Sequence, residues 1–181
     1  MSQLAINDIP ALTAVRSTAD ALALFDELPT VDLDFMVGRW QGAELATNHP
    51  IEGLLDAISW YGKEFIEPDH VHPLLCSNLS GGTFSIKPVP FMMNLSIRFA
   101  IFRHPMMKPI NRVVLFFLKT KHTQARMRML EHRGKTSATM IYDGLPIHDT
   151  FRQLDERTLM GLMDFKGVEQ PYFFVLRREG A

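Results

Sequence analysis

Residues 124–178 read QARMRMLEHRGKTSATMIYDGLPIHDTFRQLDERTLMGLMDFKGVEQPYFFVLRR. Gln124–His132 sets Met127 and Met129 against Arg126 and Arg128, the period-two pattern of a strand with one wet face. Arg133-Gly134-Lys135 turns the chain into Thr136–Tyr142, rich in β-branched and aromatic residues, and Asp143-Gly144 turns it again. Thr150–Leu154, Thr158–Asp164 and Tyr172–Arg178 follow as strands, parted by Asp155-Glu156-Arg157 and Lys166-Gly167. Short strands joined by tight turns, with no long crossover, form a meander that curls into an antiparallel barrel or a strongly curved sheet. The chain has no βαβ alternation and no internal repeat.

Toward the N-terminus, Leu33–Leu45 and Val71–Ile86 add strands, and two amphipathic helices stand beside them. Ser17 and Asp20 make a capping box, after which Ala21, Leu24, Phe25 and Leu28 recur at helical spacing until Pro29. A second helix is expected from Asn48–Pro50, with Ile51, Leu54, Leu55 and Ile58 on one face and Gly62 closing it. Each helix has one apolar stripe, so each needs a sheet to cover. Pro88, Pro90, Pro105 and Pro109 break up residues 87–122, where loops, short helices and an apolar strand at 113–118 all fit. The expected fold is mainly β (α+β): an antiparallel barrel with two N-terminal amphipathic helices. It is expected to be one domain over residues 1–181, with halves at 31–90 and 123–181 and a Met/Phe-rich basic segment at 91–122.

Gly38-Arg39-Trp40-Gln41-Gly42 is a G-x-W-x-G motif. It places a bulky indole at the start of a strand, with glycines that let backbone pack closely around it. Such a Trp plugs one end of a barrel, its ring buried and its N–H bonded to backbone.

Of the 181 residues, 46% are hydrophobic and 22% charged, values that exclude a disordered or fibrous chain. The single cysteine, Cys76, excludes an intrachain disulfide and any Cys-rich metal site, and fits a reducing compartment. The start, MSQLAINDIP, shows no basic region followed by an apolar one, and the longest strictly apolar run is Val113–Leu118. The expected location is cytoplasmic. The net charge of −1 hides a partition: residues 1–90 hold 12 acidic and 4 basic side chains, whereas residues 91–135 hold 10 basic and 1 acidic. That basic segment is too greasy for a nucleic-acid patch, so no nucleic acid is expected. Basic and apolar side chains together suit anionic lipid, so a transient membrane contact through 91–122 is one reading. The plainer one lets Met92, Met93, Met106 and Met107 fill core while the cations line a wet edge.

Tyr142, His148 and Asp149 are the candidate acid–base groups, provided that they converge, while Asp143-Gly144 reads as turn chemistry. An inward arginine face at Arg126 and Arg128 would hold a carboxylate. An inward Met127/Met129 face would instead leave the arginines solvated, which burial statistics favour. The candidate ligand-binding set is Trp40, Arg126, Met127, Arg128, Met129, Met140, Tyr142, His148 and Phe151. Lys63, at the expected end of the second helix, reads as a cation offsetting the helix dipole, ahead of the other reading, in which it covers a pocket mouth. His70-Val71-His72 puts two imidazoles on one side of a strand, but a third ligand would have to come from Glu67, His148 or Asp149, so no metal is expected. Leu79-Ser80-Gly81-Gly82 is not a nucleophile elbow, and no phosphate-binding or dinucleotide fingerprint is present.

The stretch from LDFMVGRWQGAEL through HPIEGLLDAISWYGKEF resembles the bacterial GXWXG protein family. EHRGKTSATMIYDGLPIHDTFRQLDERTLMGLMDFKG, with PYFFVLRR after it, resembles the domain of unknown function 4334 usually joined to it. The resemblance covers about residues 31–86 and 123–179 and implies a fold rather than a chemistry. By fold analogy it implies a calycin/lipocalin-like barrel, as in lipocalins, fatty-acid-binding proteins and nitrobindins. The expected function is binding of a hydrophobic small molecule, a fatty acid or other lipid, in the barrel. The alternatives are an isomerase, cyclase or hydrolase using Tyr142, His148 and Asp149, a nitrobindin-like protein with non-covalent haem on His132 or His148, or a structural partner whose barrel is filled by its own side chains. No cofactor is expected on the main reading, and the sequence is compatible with a homodimer.

Overall fold

The computed structural model describes residues 9–90, 99 and 104–180; Met92 and Met93 lie outside the described residues. Nine strands occur among them: β1 (Gly38–Glu44), β2 (Trp60–Glu67), β3 (His70–Ser77), β4 (Thr83–Ser85), β5 (Ala125–His132), β6 (Lys135–Tyr142), β7 (Ile147–Asp155), β8 (Thr158–Phe165) and β9 (Val168–Arg178). Their order is β2-β1-β9-β8-β7-β6-β5-β3-β4, and β3 also pairs with β2. Eight antiparallel strands therefore close into a barrel, with β4 attached to β3. The C-terminal meander meets the N-terminal strands at two seams, β1 on β9 and β3 on β5.

Helix α1 (Thr18–Glu27) starts where the capping box puts it. The Ser17 hydroxyl accepts from the Asp20 N–H at 3.2 Å, and the Asp20 carboxylate accepts from the Arg16 N–H at 3.0 Å. Its buried face, Ala21 and Phe25, packs with Ile9, Leu12 and Val15 on the outward side of Met160, Leu162, Phe173 and Val175. Strands β8 and β9 are thus covered on both faces, which is why TLMGLMDF and YFFVLRR read as nearly continuous apolar runs. Burying Phe25 fully contributes roughly 1.5–3 kcal/mol.

A one-turn helix, α2 (Leu33–Met36), precedes β1. The second expected helix is also a single turn, α3 (Leu54–Ala57), so Gly62 does not cap it. The residue lies inside β2 at φ +153°, where a Cβ would stand 1.9 Å from the Trp40 carbonyl oxygen. Ile51, Leu54 and Leu55 pack against the barrel core rather than on a long helical face. Residues 113–118 are not a strand: they belong to α4 (Lys108–Phe117), opened by a 3-10 turn at Pro105–Met107 and by Pro109 in its first turn. Its Leu115 packs with Cys76 and Ile86 outside β3 and β4. Met106 is exposed and Met107 half-buried, so Met106 does not fill core.

The Trp40 indole is fully buried, and its Nε1 donates to the Met36 carbonyl at 2.7 Å. The Arg178 guanidinium lies 4.3 Å from the indole centroid and donates to the carbonyls of Val37, at 2.6 Å, and Phe35. One end of the barrel is thereby closed by a stack of Arg178, Trp40 and Phe35. The last glycine of the motif has a different task. A Cβ on Gly42 would sit 2.2 Å from the Trp60 ring, which lies directly on this backbone. Gly42→Ala is expected to lower stability by about 1–3 kcal/mol in urea unfolding, and adding Trp60→Leu should return part of the loss. An unchanged midpoint for Gly42→Ala would show that the indole is not pressed on this strand.

Candidate functional site

Lys63 is not at a helix terminus. It sits in β2 opposite Trp40, with its side chain turned into the barrel and 3% exposed. Asp149, 1% exposed, comes from β7, between Met140 of β6 and Met163 of β8. The Lys63 Nζ lies 2.8 Å from Asp149 Oδ2 and donates to the Pro73 carbonyl at 3.1 Å and to the Tyr142 hydroxyl at 3.4 Å. Three ammonium hydrogens thus meet three acceptors. Phe174, Tyr142 and Trp60 ring the ammonium, with centroids at 4.9, 5.6 and 5.7 Å.

A pair this dry is a poor stabiliser. Desolvating each ion costs several kcal/mol, and apolar residues of the same volume serve a core as well or better. Burial raises the Asp149 carboxyl above its ordinary range, with Lys63 opposing the shift. Burial, with the nearby Asp149 charge, pushes the Tyr142 phenol far up, so it stays protonated at neutral pH. Among the described residues, Asp149 Oδ1 has no hydrogen-bond partner.

The interior is sealed unevenly. Near the Trp40 end, Phe65, Met127, Phe151 and Leu159 have no exposure, whereas Tyr142, Leu145, Met163 and Phe165 retain 6–9% at the other end. Met163 is the register partner of Asp149, and Phe165 that of Ile147, so this residual exposure borders Asp149 on its β8 side, while Met140, its neighbour on β6, has none. A polar rim holds the same end. Tyr172 donates to Glu44 Oε1 at 2.5 Å, and Glu44 accepts from the N–H groups of Gly53 and Leu55, each at 2.9 Å. Burial raises the Glu44 carboxyl, these donors working against it. His49 accepts from the Ile51 N–H at 3.1 Å through Nδ1, so Nε2 carries the proton donated to the Gln170 carbonyl at 2.8 Å. Glu44 and His49 thereby pin the α3 segment to β9.

Of the expected ligand-binding residues, Met127, Met140, Tyr142 and Phe151 face the interior, and Trp40 closes the opposite end. Arg126 and Arg128 stand outside, paired with Asp143 at 3.8 Å and Asp69 at 2.6 Å, and Met129 is 41% exposed. The acid–base trio does not assemble. Asp149 and Tyr142 point inward, but His148, between two inward neighbours on β7, is exposed on the outer surface. His132 lies half-buried near Asp164 and Arg152, and burial lowers its pKa. His70 pairs with Glu67, and no group of three or more potential metal-binding side chains occurs among the described residues. The Cys76 thiol is buried and pushed up to about 12, which leaves it unreactive. Sequence reasoning missed Glu44, Trp60 and Tyr172 as parts of this end of the barrel, and it preferred a helix end to a pocket for Lys63. The available signal was one cation inside the aromatic run Trp60-Tyr61-Gly62-Lys63-Glu64-Phe65.

A family model described as GXWXG protein matches residues 23–81, and one described as a domain of unknown function, DUF4334, matches residues 123–178. The chain is similar to a solved crystal structure of a protein from Thermomonospora curvata. The identity is 33% over 90% of this chain and 87% of that one, with a TM-score of 0.67. No curated protein matches. No helix among the described residues is long and apolar enough to cross a membrane.

Removing one member of the pair strands the other. Asp149→Ala is expected to cost about 3–5 kcal/mol, whereas Lys63→Met combined with Asp149→Leu should return to about wild-type stability or above it. Equal losses in the single and double variants would contradict this. A raised carboxyl also has a signed pH dependence. The stability it contributes is full below the ordinary value of 3.8 and is lost as pH rises through the raised value. Wild type should therefore lose stability relative to Asp149→Asn across that rise, read from unfolding curves at a series of pH values.

Proposed function

This chain belongs to the family that joins a GXWXG unit to the domain DUF4334, and we propose that it binds a hydrophobic small molecule inside the barrel. The observation that carries the reading is the asymmetry of the interior: sealed by Trp40 at one end, and at the other lined by apolar side chains that keep residual exposure around Lys63 and Asp149. An apolar cavity with a few converging polar groups is the usual form of a small-molecule site. A lipid or comparable molecule fits that form, its apolar body against Met140, Met163 and Phe165. The test is titration with an environment-sensitive apolar fluorophore, alongside mass spectrometry of the organic extract. Saturable one-to-one binding is expected, and Met163→Trp should weaken it at least tenfold while the fold persists. An absorbance scan of the same sample separates this reading from haem carriage, which would give a Soret band.

A second observation favours delivery from a membrane. Met106, Ile110, Val113 and Phe117 recur at helical spacing along one face of the α4 region, and all are more than half exposed, as is Phe116. Arg112, Lys119 and Lys121 are exposed beside them, and Lys119 lies 4.4 Å from the Phe84 ring centroid and 5.1 Å from that of Phe116. An apolar helix face flanked by cations suits an anionic bilayer surface, where each cation contributes about 1 kcal/mol. Phe117→Asp, or Lys119→Glu with Lys121→Glu, is expected to reduce sedimentation with phosphatidylserine vesicles at low salt several-fold. Unchanged sedimentation in all of them would refute the contact.

A further inference from the structure

We propose that the barrel selects a ligand with a neutral hydrogen-bond donor at its polar end, a hydroxyl on an apolar chain, over the corresponding carboxylate. The inference rests on the ligand-binding reading and specifies the chemistry of that same site.

A carboxylate ligand buried here needs an uncommitted cation, because neutral donors alone do not balance its charge. Lys63 is the cation of the interior, and its three hydrogens already point to Asp149, the Pro73 carbonyl and the Tyr142 hydroxyl. The pair is electroneutral, so a second anion there would be buried beside Asp149 with no positive charge to balance it. Like-charge repulsion and desolvation then act together against it. What the site lacks is the opposite partner. Asp149 Oδ1 is a buried acceptor with no donor among the described residues, on a side chain 1% exposed. Leaving such an atom bare costs about 1–3 kcal/mol, more for a charged group, and a ligand donor relieves that penalty. The neighbouring Trp60, whose ring centroid is 5.7 Å from the Lys63 ammonium, has a buried Nε1–H that also lacks a partner among the described residues. A hydroxyl supplies both functions, donating to a carboxylate and accepting from an indole N–H.

The test uses a matched pair on the full chain, 1-dodecanol and dodecanoate, each displacing the bound fluorophore at pH 8. Dodecanol is expected to displace it at a concentration at least tenfold lower. Asp149→Asn leaves the Lys63 charge without its counterion and should reverse the order, so that dodecanoate becomes the better ligand. Should that variant fail to fold, Lys63→Met/Asp149→Asn removes both charges and is expected to bring the two ligands within about threefold. Equal or better displacement by dodecanoate from wild type overturns the headgroup inference and leaves the cavity reading standing. A fluorophore that never binds overturns the cavity reading, and the inference falls with it.

Discussion

The contact on which the architecture turns is Arg178 laid over Trp40. Trp40 stands near the start of the first barrel strand and Arg178 at the end of the last, and the two are register partners. Their stacking fastens the seam that turns an open sheet into a closed one, while carbonyls of the chain entering β1 take the guanidinium hydrogens. A closed barrel has no free edge to protect, so its interior is the place where unusual chemistry can be kept dry. The end filled by tryptophan is spent on closure. The opposite end is where the polar groups gather.

The glycines and aromatics of the N-terminal half serve the same purpose at shorter range. Gly42 lets Trp60 lie flat on β1, and Trp60 in turn meets Phe174 edge-on at 5.9 Å. Phe174 then lies against the Lys63 ammonium. The motif that closes the barrel is therefore linked by direct packing to the ion pair within it. The pair itself spans the two family segments: Lys63 belongs to the GXWXG stretch, Asp149 and Tyr142 to the DUF4334 stretch.

Much of the fold was legible because its signals are local. Arg133-Gly134 and Lys166-Gly167 turn where glycine meets a polar residue, and Ser17 with Asp20 starts α1 within one turn. Where the reading failed, the deciding contact was distant or the pattern was ambiguous. Ile51, Leu54, Leu55 and Ile58 have helical spacing, but left-handed residues at Gly53 and Ser59 bracket a single turn and send Trp60 to Gly42. Val113–Leu118 is apolar all round, so composition matched helix and strand alike. The polar cluster marks Asp149 as a candidate, but its neighbour in sequence, His148, is not its companion in the fold. Alternation along β7 places those two on opposite sides of the sheet. Lys63 was hidden because an inward lysine contradicts every burial preference until its counterion, far along the chain, is known.

The two seams carry a consequence for how the chain reaches this state. Strands β5 to β9 are linked by hairpins, whereas closure depends on contacts such as Glu44 with Tyr172, 128 residues apart. Loop-closure entropy weighs against such pairs until much else is in place. The meander has the kinetic advantage, and the N-terminal arm arrives last, wrapping α1 over an apolar face that newly made β8 and β9 present to water. Folding is then a millisecond-to-second event of the kind seen for sheets dominated by distant pairings. During ribosomal synthesis α1 emerges before the two strands it covers and waits until β9 has left the exit tunnel.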